Sequence, residues 1–229
     1  IIDVDEVERK EEDIPNHARE LCVSRVYERS DCVVPIMTVL LKMFEAGKDY
    51  APLSLIDFSG RTLIRLTGES FFWSKSPFDE LKWNSFPRKG SQLYLVRDLG
   101  VGSTGFSWLA ASGSGAVCVV KFSKKEGMDA QERSLKDEQM WWGKAYLGEF
   151  NVRVEKYAGR WALVMPHFDA PERTEQSIEM LKGTLQQLHK NGVNHGDVKW
   201  RNVGAFKDKA GMDRVIMFDF SHAVESTDD

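Results

Sequence analysis

Three polar residues are spaced so that they could act together on a phosphate. Asp197 and Asn202 lie five residues apart in the segment His195–Asn202, and Asp219 follows a hydrophobic run seventeen residues after Asn202. A return strand between Asn202 and Asp219 would bring the three side chains to one place. Phosphoryl transfer uses one carboxylate at the attacking hydroxyl, and an amide and a second carboxylate on Mg²⁺. The spacing therefore indicates phosphoryl-transfer chemistry, and His195 is interpreted as a buried structural histidine.

Three glycines upstream form a G-x-G-x-x-G pattern at Gly100, Gly102 and Gly105. They lie between two strand-like runs, whereas a dinucleotide-binding fold needs these glycines between a strand and a helix. The pattern predicts a hairpin turn, which either lies over bound phosphates or is simply flexible.

Lys121 lies within the apolar run Val117–Phe122. A buried ammonium needs an anionic partner, although a lysine on an edge strand could instead reach water. Asp129 and Glu132 have the spacing of a capping box, which would occupy Glu132 at a helix start. Glu138 lies on the core-facing stripe of the same predicted helix, so we expect it to pair with Lys121.

The elements that must position these residues follow from periodicity and breakers. We predict strands at 92–98, 107–111, 116–122, 151–157, 161–167, 203–206 and 214–220. We predict helices at about 130–147 and 174–190, the second ending at Asn191-Gly192. Before a boundary near residue 90 we predict two amphipathic helices, from Pro15 and from Ile36 to Gly47, and two short strands, Thr62–Leu66 and Ser70–Ser74.

These motifs resemble the protein-kinase superfamily. His195–Asn202 resembles its H-R-D-x-x-x-x-N loop and Asp219-Phe220-Ser221 its D-F-G metal motif, and all motifs appear in the family's order over residues 93–221. The H-G-D form and the Asp-Phe-Ser-His-Ala segment resemble fungal-type kinase-like domains and those of Crinkler-type secreted effectors. Ser221 and Gly196 depart from the family pattern, the latter at the position of an arginine used in phosphorylation-dependent control.

The resemblance implies an α+β, protein-kinase-like two-lobe fold with a shortened C-lobe and an N-terminal helical extension. Residues 1–90 would be an extension packing on the core, and residues 91–229 the kinase-like domain, with an N-lobe at 91–165 and a truncated C-lobe at 166–229. Only eight residues follow Ser221, so no helical peptide platform is expected in this sequence.

The resemblance also implies roles for individual residues. Catalytic roles would belong to Asp197, Lys199, Lys121 and Glu138. Nucleotide contacts would belong to Gly100, Gly102, Gly105, Lys121, Met165 and His167, the last two in a hinge that binds adenine. Asn202 and Asp219 would bind Mg²⁺, so the implied cofactors are ATP and Mg²⁺.

The function that this implies is an ATP-dependent phosphotransferase, a serine/threonine protein kinase-like enzyme. A pseudokinase or effector-type binding module and a small-molecule kinase stay open as alternatives. A net charge of −4 offers no basic field for nucleic acid or a membrane surface, so neither is expected as a partner. The resemblance implies ATP and a protein substrate or protein partner. The three cysteines are widely spaced, odd in number and lack a C-x-x-C pair, which favours a reducing compartment. We therefore expect an intracellular location, cytoplasmic or nuclear, and the resemblance adds a secreted effector acting inside a host cell.

Overall fold

The computed structural model describes residues 57–208 and 210–226, and β-strands dominate them. Seven strands form one sheet: β1 Thr62–Leu66, β2 Phe71–Lys75, β3 Leu93–Val101, β4 Gly105–Ser112, β5 Val117–Ser123, β6 Arg153–Tyr157 and β7 Arg160–Met165. Their order is β2-β1-β3-β4-β5-β7-β6, and every pair is antiparallel. The antiparallel sheet predicted for residues 92–165 is confirmed, and β1 and β2 extend it.

Burial along the strands follows their place in the sheet. All seven residues of β5 are buried, as expected of a central apolar run covered on both faces. The edge strand β2 has no fully buried residue. β5 is therefore shielded from solvent along its whole length, and it carries Lys121.

The helix α1, Met128–Tyr146, buries one stripe that includes Leu135, Glu138 and Trp142. It begins after Gly127, whose φ of 79° starts the helix without a side-chain cap. The predicted capping box is therefore wrong, and Glu132 instead pairs with Lys136 one turn later. The helix packs against β5, β6 and β7, which brings Glu138 to the sheet.

The helix α2, Glu175–Lys190, begins at a capping box in which the Thr174 and Ser177 side chains bond to each other's backbone N–H. It ends before Gly192, whose φ of 72° confirms the predicted left-handed stop. Thr184 donates a hydrogen bond to the carbonyl of Val215 at 2.6 Å. This contact fixes α2 against the strand that leads to Asp219.

Two small antiparallel ribbons complete the described chain. β9 (Val203–Lys207) pairs with β10 (Asp213–Met217), and β8 (Val193–Asn194) pairs with β11 (Val224–Glu225). Short 3₁₀ turns occupy Trp200–Asn202 and Phe220–His222. The β9–β10 hairpin is the return strand that the spacing of Asn202 and Asp219 predicts.

The predicted protein-kinase-like two-lobe fold, with its shortened C-lobe, is wrong. The described residues are mostly β, with a seven-stranded antiparallel sheet and only two α-helices, whereas that fold has a helix-rich second lobe. After β7 the chain forms one long helix and then ribbons of two to five residues per strand. Local alternation and turn residues favour such short strands, and the motif resemblance took no account of these local patterns.

The predicted extension, residues 1–90, is described only in part. Its two amphipathic helices lie outside the described residues. Its strand pair forms β1 and β2, and β1 joins β3 with Leu66 opposite Leu93. The described residues all belong to one compact unit, Ala51–Asp229, while the packing of the whole extension on the core stays a prediction. Among the described residues, no helix is long and apolar enough to cross a membrane.

Candidate functional site

The glycine pattern forms a tight hairpin turn between β3 and β4, as predicted. Gly100 has a φ of 111° and donates its N–H to the Asp98 carboxylate at 2.8 Å. The Gly102 N–H donates to the carbonyl of Gly105 at 2.8 Å. A Cβ at Gly105 would lie 2.3 Å from the Phe122 carbonyl oxygen and 3.5 Å from Lys121 Cε. The third glycine therefore lets β4 pass close to the strand that carries the lysine.

Lys121 binds two carboxylates. Its Nζ lies 2.9 and 2.8 Å from the two oxygens of Glu138 and 2.5 Å from Oδ1 of Asp219. The lysine and Glu138 side chains are 7% and 3% exposed, and that of Asp219 is 32% exposed. The predicted Lys121–Glu138 ion pair is confirmed. Asp219, which lies 98 residues after Lys121 in the sequence, joins this ion pair.

The two carboxylates share one cation, so the cluster carries a net negative charge. Burial lowers the pKa of Lys121, but Glu138 and Asp219 outweigh burial and hold that pKa above its ordinary value. Burial raises the pKa of Glu138 although Lys121 opposes it. Burial also raises the pKa of Asp219, yet Lys121 and the Ser221 hydroxyl outweigh it and hold that pKa low. The more exposed Asp219 is thus the carboxylate most ready to meet another cation.

The segment after β8 carries Asp197, whose side chain is half-buried at 17% exposure. Its Oδ1 lies 2.5 Å from Lys199 Nζ, and its Oδ2 accepts a hydrogen bond of 3.0 Å from the Asn202 amide nitrogen. The Lys199 hydrogen bond is the main influence that lowers the pKa of Asp197. Asp197 is therefore a carboxylate at neutral pH, positioned by a cation and an amide.

His195 joins this segment to the residues before Asp219. Its Nε2 lies 2.9 Å from the Phe218 carbonyl oxygen, and its Nδ1 lies 3.3 Å from the Asp197 backbone nitrogen. A carbonyl only accepts, so Nε2 carries the hydrogen and Nδ1 accepts from Asp197. Burial lowers the pKa of His195, which favours this neutral form. With 1% of its surface exposed, it is the structural histidine that we predicted.

A second link runs through the backbone. The Phe218 N–H donates to the Asn202 carbonyl at 2.9 Å, just beyond the β9–β10 pairing of Val203 with Met217. Asp219 has a left-handed φ of 64°, and Ser221 donates its hydroxyl hydrogen to Asp219 Oδ1 at 2.8 Å. Asn202 and Asp219 are therefore held on adjoining backbone, as the spacing predicted.

Gly196 has a backbone role that the sequence reasoning missed. Its φ is 74°, and a Cβ there would lie 2.2 Å from the His222 carbonyl oxygen. A glycine is needed because the segment passes directly against the turn after Asp219. The signal available in the sequence was the glycine itself, which we interpreted only as the loss of an arginine.

Tyr146, at the end of α1, is a second positioning residue that sequence reasoning missed. Its hydroxyl donates to the Met217 carbonyl at 2.7 Å and accepts from the Met217 N–H at 2.8 Å. It thus holds both polar backbone groups of the residue two positions before Asp219. No spacing in the sequence connects Tyr146 to Met217, because the contact joins residues 71 positions apart.

Met165 and His167, predicted to contact adenine, lie at the end of β7. Met165 is opposite Val119 of β5 and is 6% exposed. His167 follows the strand, and its ring centroid lies 5.1 Å from that of Trp83. Since Lys121 is two residues beyond Val119 on the same face of β5, this segment borders the face that carries the lysine. The adenine contact itself stays a prediction.

Asn202 and Asp219 carry oxygen atoms of the kind that Mg²⁺ prefers as ligands. Among the described residues, no group of three or more His, Cys, Asp or Glu could hold a metal ion. Magnesium in nucleotide sites is bound through one or two protein groups together with phosphates and water. Asn202 donates its amide hydrogen to Asp197, so its amide oxygen is not used in that hydrogen bond. The donor types of Asn202 and Asp219 fit a magnesium that arrives with a nucleotide, and binding of the ion stays a prediction.

A comparison with protein families matches part of the chain. A family described as a family of unknown function (DUF5898) matches residues 98–206, and no curated protein matches the chain. The matched span runs from β3 to β9 and includes the glycine turn, Lys121, Glu138 and the segment 195–202, while Asp219 lies beyond it.

Proposed function

We propose that the chain is an ATP-dependent phosphotransferase that acts on a Ser or Thr hydroxyl of a protein, with chemistry resembling that of the protein-kinase superfamily. One observation carries the proposal. Lys121, buried and paired with Glu138, reaches Asp219, while His195 ties the residue before Asp219 to the backbone of Asp197. A phosphate-binding cation, a metal-binding carboxylate and a candidate base are thus parts of one network.

In this proposal the nucleotide binds at the more exposed side of the ion cluster, where Asp219 lies. Lys121 holds the α- and β-phosphates while Glu138 keeps its ammonium oriented. The backbone N–H groups of the glycine turn, residues 100–105, approach the phosphates, and residues 165–167 receive the base. Asn202 and Asp219 would hold Mg²⁺, which would neutralise charge on the phosphates.

Asp197 orients the acceptor hydroxyl and takes its proton. The hydroxyl oxygen forms a bond to the γ-phosphorus, the bond from that phosphorus to the β–γ bridging oxygen breaks, and ADP leaves. Lys199, which is 54% exposed beside Asp197, stabilises charge on the transferred phosphoryl. The low pKa of Asp197 suits a group that orients the hydroxyl and accepts its proton late in the transfer.

A thermal-shift assay with and without Mg²⁺ tests the nucleotide site. A ligand that binds only the folded chain adds about 2.7 kcal/mol at a hundredfold excess over Kd, so Mg-ATP should raise the Tm clearly and ATP alone only slightly. Asp219→Asn should abolish the magnesium-dependent part. Asp197→Asn should keep the shift and remove transfer of labelled phosphate to protein acceptors, because Asp197 faces the acceptor.

The two readouts separate the possible failures. A wild-type chain with no Tm shift at millimolar Mg-ATP would contradict the proposal and leave a binding module as the better description. A shift of equal size in wild type and Asp219→Asn would contradict the metal assignment alone. A shift without transfer by wild type would indicate a nucleotide-binding pseudokinase.

A further inference from the structure

Two exposed cationic side chains lie beside Asp197. Arg201 Nη2 lies 4.0 Å from Asp197 Oδ2, and the arginine side chain is 73% exposed. Lys199 contacts the other carboxylate oxygen at 2.5 Å. Two cations against one carboxylate leave a net positive charge at the point where an acceptor hydroxyl would approach.

Arg201 is the more available of these two cations. Lys199 is in direct contact with Asp197 and is assigned to the transferred phosphoryl. At 4.0 Å, Arg201 lies beyond a direct hydrogen bond, so its guanidinium can turn outward without uncovering a buried charge. A planar guanidinium binds a carboxylate through two parallel hydrogen bonds, which makes an acidic side chain its natural partner.

Trp200 keeps this part of the segment in place. Its indole Nε1 donates to the Pro171 carbonyl at 3.2 Å, and the guanidinium carbon of Arg173 lies 5.9 Å from its ring centroid. Arg173 adds a third cation, but it lies over the Trp200 ring, whereas Arg201 lies 4.0 Å from the Asp197 carboxylate. Arg201 is therefore the cation best placed to contact an acceptor bound at Asp197.

We propose that the acceptor is a Ser or Thr in an acidic peptide segment, and that Arg201 binds a carboxylate of that segment beside Asp197. The inference rests on the proposed phosphotransferase function and adds the class of acceptor.

Three synthetic peptides test this inference with the full chain and Mg-ATP. They carry the same central Ser, flanked by Asp and Glu, by Ala and Gly, or by Lys and Arg. Wild type should phosphorylate the acidic peptide best. An exposed ion pair is worth a factor of about two to five, so Arg201→Gln should raise the KM for the acidic peptide about fivefold with little change in kcat. Arg201→Glu should shift the preference to the basic peptide.

Lys182→Glu is the matched control, because Lys182 is also exposed, at 63%, and lies on α2 in a pair with Glu179. It makes the same change in net charge as Arg201→Glu and should leave the preference for the acidic peptide unchanged. Equal or better use of the basic peptide by wild type would overturn the inference, as would an unchanged preference in Arg201→Glu.

The thermal shift distinguishes failure of this inference from failure of the proposed function. A clear Mg-ATP shift with transfer of labelled phosphate to protein acceptors, but to none of the three peptides, would overturn the acidic-peptide acceptor while leaving the proposed function intact. Absence of both the shift and phosphorylation would overturn the two proposals together.

Discussion

Lys121 is a buried cation that contacts two carboxylates from distant parts of the chain. It lies in a strand whose seven residues are all buried, so its ammonium must find counter-charges or lose its proton. Glu138 supplies one from α1 and Asp219 supplies the other from the turn after β10. Because removal of one partner from such a cluster leaves an uncompensated buried charge, the free energy of unfolding should depend on the balance of the three groups.

Lys121→Met should therefore destabilise the chain more than Glu138→Gln. The methionine leaves two carboxylates without their cation, at a cost of about 3 kcal/mol, whereas the glutamine leaves Lys121 paired with Asp219 at a cost of about 1 kcal/mol. The double variant should be more stable than Lys121→Met alone, because it removes the more buried uncompensated charge. Urea unfolding of all four chains measures this, and strictly additive losses would contradict the expected coupling.

At the scale of elements, two turns meet where the chemistry is proposed. The segment 195–202 lies against the turn Phe220–His222, and a Cβ on Gly196 would overlap the His222 carbonyl. The β9–β10 hairpin sets this approach, since it brings Asn202 and Phe218 together through a backbone hydrogen bond. The placement of Asp197 relative to Asp219 thus depends on backbone contact, for which only glycine leaves room.

Gly196→Ala should destabilise the chain and reduce phosphate transfer. The alanine must adopt a left-handed φ, which costs about 1–2 kcal/mol, and its Cβ would also clash with a backbone oxygen. Thermal unfolding and transfer rates of the variant and of wild type provide the measurement.

Gly211→Ala is the control for this prediction. Gly211 has a similar φ of 79°, but a Cβ added there would have no neighbouring atom within 4 Å. The alanine should therefore incur the conformational cost alone and keep transfer unchanged. Equal losses of stability in the two variants would show that the contact with His222 has no influence.

At the scale of the whole molecule, the ion cluster joins separate layers. Lys121 belongs to the sheet, Glu138 to the helix packed on it, and Asp219 to the ribbon region that follows α2. Because this ion cluster joins three parts of the chain, the stability of the fold should depend on the protonation of its three side chains. The free energy of unfolding should therefore change with pH, over the pH ranges in which the groups with shifted pKa values titrate.

Asp219 determines the acidic pH range in which the free energy of unfolding should change, called here the acid window. Its pKa is lowered from 3.8 in the folded chain, so the unfolded chain binds the proton first as the pH falls. Its contribution is fully present above 3.8 and is lost as the pH falls through the lower folded pKa. The stability advantage of wild type over Asp219→Asn should accordingly narrow below that pH.

Urea unfolding of wild type and Asp219→Asn at about pH 7, 4 and 3, values above and below 3.8, provides the measurement. Asp213→Asn is the control, because Asp213 pairs with Lys207 on the surface, where the side chains are 69% and 70% exposed, and an exposed pair contributes little. A difference between wild type and Asp219→Asn that stays constant across this range would contradict the assignment.

Local sequence patterns were enough to predict most of the helices and strands and one ion pair. Strand alternation and the helical stripes predicted the strands from β3 to β7, the β9–β10 hairpin and both helices to within a few residues, because these patterns are local. Lys121 in an apolar run required an anion, and the stripe of α1 selected Glu138. The left-handed stop at Gly192 followed from the residue type alone.

Only the tertiary structure decided which elements assemble, and how. Strand order depends on pairings between distant segments, so β1 and β2 joined the sheet although a boundary was predicted after them, and the two-lobe expectation from the motifs was wrong. Asp219 reached Lys121, and Tyr146 reached Met217, through contacts spanning 98 and 71 residues. Such contacts leave no periodic trace in the sequence, because they are determined by packing between layers and not by the local backbone.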